Sequence, residues 1–133
     1  IGPLFIEEYF TRNDKEKKVR TLNDYFIMGG NMTAIQTADN ASPVCVIPDK
    51  GKLKEIYMNV HTVIDATTTF DIMKNGTDTT VDATLADATV DETGIALAIG
   101  GEVLLDAGDA LHIKSNGEQT AATTADVSYV IRR

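Results

Sequence analysis

From Gly51 to Arg133 the chain is a succession of short alternating apolar and polar runs, separated by Asn-Gly, Gly-Gly and Gly-Asp steps. A chain punctuated this way is read as antiparallel β-structure, because period-two alternation marks a half-buried strand and such dipeptides accept tight-turn backbone angles. The segment "KLKEIYMNVHTV" opens the run and "ADVSYVIRR" closes it with a similar pattern, so these two strands are expected to pair side by side. Ile56, Met58, Val60, Thr62 and Ile64 share one face, and Glu55, Tyr57, Asn59 and His61 the other. Phe70 and Ile72 fall together ahead of an Asn75-Gly76 hairpin turn, and a strand is expected from Thr79 to Leu85. Ile95, Leu97 and Ile99 alternate up to Gly100-Gly101, and Val103 to Leu105 is short. Leu111 and Ile113 point inward ahead of a turn at Asn116-Gly117, and Val127, Tyr129 and Ile131 share a face in the last strand. Strands at that spacing suggest a sandwich, barrel or jelly roll. The run has no helical crossovers, which counts against a parallel α/β sheet.

Residues 1–50 differ, and the expectation is an N-terminal arm and joint ahead of a β-sandwich over 51–133. An apolar patch (Leu4, Phe5, Ile6, Tyr9, Phe10) is followed by a basic cluster (Arg12, Lys15, Lys17, Lys18, Arg20). Val19, Leu22, Tyr25 and Phe26 have helical spacing behind Asp14 as a cap, but a hairpin turning at Asn13-Asp14 fits equally. Pro43 and Pro48 bracket "VCVI" and mark the joint. The arm either packs back on the body or lies across a partner, with its basic cluster meeting acidic groups there.

The net charge of −8 argues against nucleic acid and anionic lipid as partners. No apolar run approaches the roughly 20 residues of a membrane-spanning helix. The start lacks the basic n-region of a signal peptide. There is no Trp, and aromatics make up 6% of the chain. Small apolar side chains bury little area at about 25 cal/mol per Å², so a second source of burial, an oligomer, is expected.

No catalytic pattern stands out. Ser42, Ser115 and Ser128 lie in no nucleophile elbow, and no phosphate loop follows the Gly pairs. Asp78, Asp82, Asp87, Asp91 and Glu92 form an acidic stretch whose spacing is not that of a calcium loop, which favours a solvated rim. His61 and His112 take outward strand positions, where plain polar residues are expected rather than metal ligands. Cys45, the single cysteine, reads as a small buried hydrophobe. The sequons at Asn31 and Asn75 arise readily in a Thr-rich chain, and Asn75 is better explained as a turn residue. No catalytic residue, metal or cofactor is assigned.

"GEVLLDAGDALHIKSNG" followed by "ADVSYVIRR" resembles the small jelly-roll modules of bacteriophage virion proteins, with Val103, Gly108, Asp109, Leu111, Ile113, Val127, Tyr129 and Ile131 as the matching residues. The physical role of the step is structural: Gly108 supplies a turn conformation and Asp109 accepts backbone N–H groups. Tumour-necrosis-factor-like trimers share the pattern but carry more aromatics at their axis. The resemblance implies an all-β, jelly-roll-like antiparallel sandwich with an extended N-terminal arm, assembling as a homotrimer. It implies a capsid decoration (cement) protein, not an enzyme, bound to the major capsid protein at the virion surface and bridging capsomers. The arm residues from Leu4 to Arg20 would then dock. A receptor- or glycan-binding tip module of a phage fibre is the alternative.

Overall fold

A computed structural model describes residues 23–133. The ten strands are β1 (Asp24–Met32), β2 (Cys45–Val46), β3 (Gly51–Val60), β4 (Thr68–Lys74), β5 (Thr77–Leu85), β6 (Ile95–Ala96), β7 (Ala98–Ile99), β8 (Leu104–Leu105), β9 (Ala110–Ser115) and β10 (Ala125–Arg132). They form two antiparallel sheets, one ordered β1-β10-β3-β6 with β8 also on β3, the other β2-β9-β4-β5-β7. The protein is an all-β sandwich. The expected pairing of opening and closing strands is realised, since β3 runs antiparallel to β10 with Met58 opposite Val127 and Ile56 opposite Tyr129.

The core lies between the sheets and follows the alternation. Val127, Tyr129 and Ile131 face inward from β10, Ile56, Met58 and Val60 from β3, Phe70 and Ile72 from β4, and Leu111 and Ile113 from β9. Leu53 is also buried, three residues before Ile56. A bulge opposite Val130 and Ile131 absorbs the extra residue and restores the phase. Each large apolar side chain fully buried contributes roughly 1.5–3 kcal/mol. Ser42 is buried between the sheets: the Ile113 N–H donates to its Oγ at 3.0 Å, and that oxygen lies 3.3 Å from the Tyr129 hydroxyl. Burial away from water pushes the Tyr129 hydroxyl pKa well up.

The run from Ile95 to Ile99 is not one strand. Ile95 and Ala96 pair with β3, whereas Ala98 and Ile99 pair with β5. The chain crosses between sheets at buried Leu97. The expected turns form: Asn75 (φ 54°) and Gly76 (φ 79°) close the β4–β5 hairpin with the positive angles of a type I′ turn.

The expected boundary at residue 50 is corrected. β1 lies along β10 and β2 along β9, so residues 24–50 supply strands to both sheets. A helical face shared by Tyr25 and Phe26 does not form. In β1 Tyr25 and Ile27 are half-buried, while Phe26 and Met28 are 76% and 80% exposed. Gly29 and Gly30 do not end the element; they sit at a bulge that lets β1 continue to Met32. The arm residues Leu4, Phe5, Ile6, Tyr9, Phe10, Arg12, Lys15, Lys17, Lys18 and Arg20 lie outside the described residues.

Candidate functional site

The two ends of the sandwich carry different charge. At the end where the chain enters β1, the start of β3 and the end of β10 bring Lys50, Lys52, Lys54, Arg132 and Arg133 together, and Lys74 joins from the β4–β5 hairpin. Alternation places Lys52 and Lys54 away from the core, and the antiparallel register sets Lys52 opposite Arg132. Carboxylates are interleaved among them. Asp24 accepts from Arg132 Nε at 3.0 Å and from Lys54 Nζ at 2.8 Å, which holds its carboxyl down at about 2. Lys52 pairs with Glu102 at 3.6 Å and Arg133 with Asp49 at 2.9 Å. The Arg133 guanidinium also lies 5.0 Å from the centre of the Tyr25 ring, whose hydroxyl donates to the Asp49 carbonyl. The Lys74 ammonium donates to the Leu104 carbonyl at 3.0 Å. A groove of about 520 Å³ runs here between Lys50, Lys52, Leu104, Asp106, Arg132 and Arg133. Leu104 in its wall is 60% exposed. Of the chain's 12 Lys and Arg, five precede β1 and six are at this end, leaving Lys114.

The opposite end is acidic. It is built from the loops after β3, β5 and β9, and carries Asp65, Asp87, Asp91, Glu92, Glu118 and Asp126. His61 sits among them with Nδ1 2.7 Å from Glu92 and Nε2 2.8 Å from Asp126. Hydrogen bonds to Glu92 and then Asp126 raise its pKa, and the ring ties the loop before β6 to β10. Asp126 is held low by the amide of Asn31 and by His61. Asp65 accepts from the backbone N–H groups of Thr120 and Ala121 and from the Thr120 hydroxyl, which lowers its pKa and pins that loop. Lys114 reaches Asp39 at 3.9 Å.

A third group was half legible. Asp71, Asp78 and Asp82 bring carboxylate oxygens within 4.8 Å of one another. A bulge between Asp71 and Met73 on the β4–β5 ladder gathers them, with Asp78 accepting from the Thr80 N–H at 2.7 Å. Burial and then the neighbouring Asp71 raise the Asp82 pKa. Asp78 and Asp82 belong to the acidic stretch of the sequence, whereas Asp71 is hidden in the alternation of β4. Asp87, Asp91 and Glu92 do not join the trio.

The other sequence candidates resolve into structural roles. His112 is half-buried on β9, in the sheet opposite His61, and burial followed by Lys114 lowers its pKa. Gly108 adopts φ 93°, and Asp109 accepts from the Asp106 N–H at 2.7 Å and from the Asn75 amide at 3.0 Å, joining two turns. The Asn116 amide donates to Thr69 Oγ1 at 2.7 Å, and Gly117 adopts φ 70°. Cys45 is half-buried, its Sγ donating to the Leu111 carbonyl at 3.4 Å, and burial pushes its thiol up, away from the reactive thiolate.

One surface was not foreseen. On the outer face of the first sheet, Phe26 stands beside Val130, and Met28, Ser128 and Tyr57 form a row across β1, β10 and β3. A shallow depression of about 230 Å³ lies among Met28, Tyr57, Asn59, Gly94, Asp126 and Ser128. The sequence signal was the alternation in "DYFIMGG", concealed because large apolar residues occupy both of its faces.

No protein-family model and no curated protein matches the chain. Solved structures do match in fold. Over 85% of the chain it is similar to part of the GH26-CBM35 β-(1,4)-mannanase of Podospora anserina, with TM-score 0.53 and 10% identity. Over 80% it is similar to part of a cycloisomaltooligosaccharide glucanotransferase of Paenibacillus sp., solved with cycloisomaltoheptaose, with TM-score 0.53 and 11% identity. The chain spans 28% and 18% of those proteins. At such identity the likeness is one of fold.

Proposed function

We propose that this protein is a virion structural module, a capsid decoration protein that seats its charge-balanced end on the outer surface of a bacteriophage shell and turns its acidic end to solvent. The observation that carries the reading is the polarity of the sandwich. At the end where the chain enters, Asp24, Asp49 and Glu102 are each paired with a base. At the other end are six carboxylates, of which His61 reaches two, Glu92 and Asp126. Covering uncompensated carboxylates costs several kcal/mol each, whereas covering charges that already neutralise one another costs far less. The buried face is therefore the balanced end. The segment that carries Leu4 to Phe10 and the five bases from Arg12 to Arg20 joins the body there, at Asp24. It supplies apolar anchors and cations toward an acidic subunit surface. Modest contacts repeated over a shell add through multivalency.

The test is co-sedimentation with purified undecorated capsids. The full chain pellets in a fixed ratio to the major capsid protein, and deletion of residues 1–20 abolishes pelleting while leaving a folded sandwich. Undiminished pelleting of the truncated protein would sink the arm as anchor, and a full chain that stays in the supernatant would sink the reading itself.

A second reading rests on the fold likeness to parts of two carbohydrate-active proteins and on Tyr57, 39% exposed beside the depression that also holds Asn59 and Asp126. An aromatic ring beside polar side chains suits a sugar, as it would in a receptor-binding fibre tip. Binding to a glycan array that Tyr57→Ala removes, with no capsid pelleting, favours this reading over the first.

A further inference from the structure

We propose that the outer face of the β1-β10-β3 sheet is a self-association surface, covered in solution by a second copy of this chain. Three observations select that occupant. First, the face is apolar where it is exposed: Phe26 and Met28 project from β1 at 76% and 80% exposure, with Tyr57 at 39% two strands away. Side chains of that size left in water on one face mark an interaction site rather than scattered surface.

Second, the face holds both halves of a fit. Phe26 is the knob, and the depression of about 230 Å³ beside Met28, Tyr57 and Ser128 is the hollow. Phe26 stands two residues along β1 from Met28 in the wall of the hollow, about 7 Å away on the same face. Phe26 projects to solvent beside the hollow and leaves it open, so the knob of one copy can enter the hollow of a neighbour, and closed symmetry satisfies every copy alike.

Third, the charges on this face neutralise one another. The two bases Arg132 and Lys54 hold Asp24 between them, Arg132 also acts on Glu55, and His61 lies against Asp126. A protein of net charge −8 repels its own copies over most of its surface. Here two copies meet without setting unpaired carboxylates against each other. An unrelated charged partner would require free charge on the face to recognise.

The experiment is sedimentation equilibrium of the full chain over a concentration series, read beside hydroxyl-radical labelling of Met28. The wild type gives a mass that is a whole-number multiple of the 14.4 kDa protomer, and Met28 labelling falls several-fold as concentration rises. Phe26→Asp and Met28→Asp each return the mass to one protomer with an unchanged circular dichroism spectrum, because both side chains lie outside the core. A wild-type monomer at every concentration overturns the proposal. So does assembly that survives both substitutions, or labelling that does not vary with concentration, which would mean that the chain covers the face itself. The labelling arm needs no variant to fold. Capsid pelleting is a separate readout, so the shell reading and this surface fail independently.

Discussion

Replacing Gly117 by alanine tests how closely the loop after β1 packs against the turn after β9. Gly117 has φ 70°, in the left-handed region, where an L side chain costs about 1–2 kcal/mol. An added Cβ would also lie 2.4 Å from the Ala38 amide nitrogen, 2.8 Å from its Cα and 2.9 Å from the Thr37 carbonyl carbon. These are backbone atoms, and they cannot rotate aside. Overpacking of this kind costs about a further 1–3 kcal/mol. The sum, about 2–5 kcal/mol, is a large share of the roughly 5–15 kcal/mol that holds such a domain together. Gly108 is the internal control. Its φ is 93°, but a Cβ there meets nothing within 4 Å, so Gly108→Ala carries only the backbone cost. Urea melts followed by circular dichroism separate the two effects. With slopes of about 1–3 kcal/mol per molar urea, the Gly117→Ala midpoint falls about 1 M below that of Gly108→Ala. Equal midpoints for the two variants would refute the close approach of residues 37 and 38 to the turn.

Two further predictions concern charge. The His61 clasp is tightest in mildly acidic solution. The raised His61 pKa adds stability that is complete below its ordinary value of 6.5 and is lost as pH rises through the raised value. The lowered Asp126 pKa adds stability that is present above 3.8 and is lost as pH falls through the lowered value. The melting temperature of the wild type should therefore exceed that of His61→Gln most at about pH 5 to 6, and the difference should close in alkali; a difference that grows toward alkaline pH contradicts the clasp. At the carboxylate trio, Asp82→Asn should stabilise by roughly 0.2–1 kcal/mol at neutral pH and low salt, since it removes a like charge set directly opposite Asp71 on the ladder. The raised Asp82 pKa means that folding favours the protonated form, so the gain vanishes as pH falls below 3.8. A loss of stability in chemical denaturation at neutral pH would show that the trio is held together by something other than its own geometry.

The sequence spoke most clearly where one face of a strand was apolar and the other polar. β3, β9 and β10 have that form, and their inward residues and the pairing of β3 with β10 were read without the structure. The Asn75-Gly76, Gly108-Asp109 and Asn116-Gly117 steps were legible because positive backbone angles restrict residue choice. β1 was missed because Tyr25, Phe26, Ile27 and Met28 are all large and apolar, so neither period stands out, and Gly29-Gly30 looked like a stop. Ile95 to Ile99 looked like a single strand because alternation does not report which sheet a residue joins. The polarity of the sandwich was beyond the sequence, since it depends on Lys52 facing Arg132 across a ladder that joins residues eighty positions apart. His61 was placed on the outward face, but its two carboxylate partners come from a loop and from the last strand.

The most direct test of the proposed function is the orientation of the bound protein in a cryo-electron microscopy map of decorated capsids. The account predicts that the end bearing Lys50, Lys52, Arg132 and Arg133 lies against the shell, with Asp91, Glu92 and Glu118 pointing to solvent. Density for the sandwich in the opposite orientation, or no density on capsids mixed with excess protein, would contradict it.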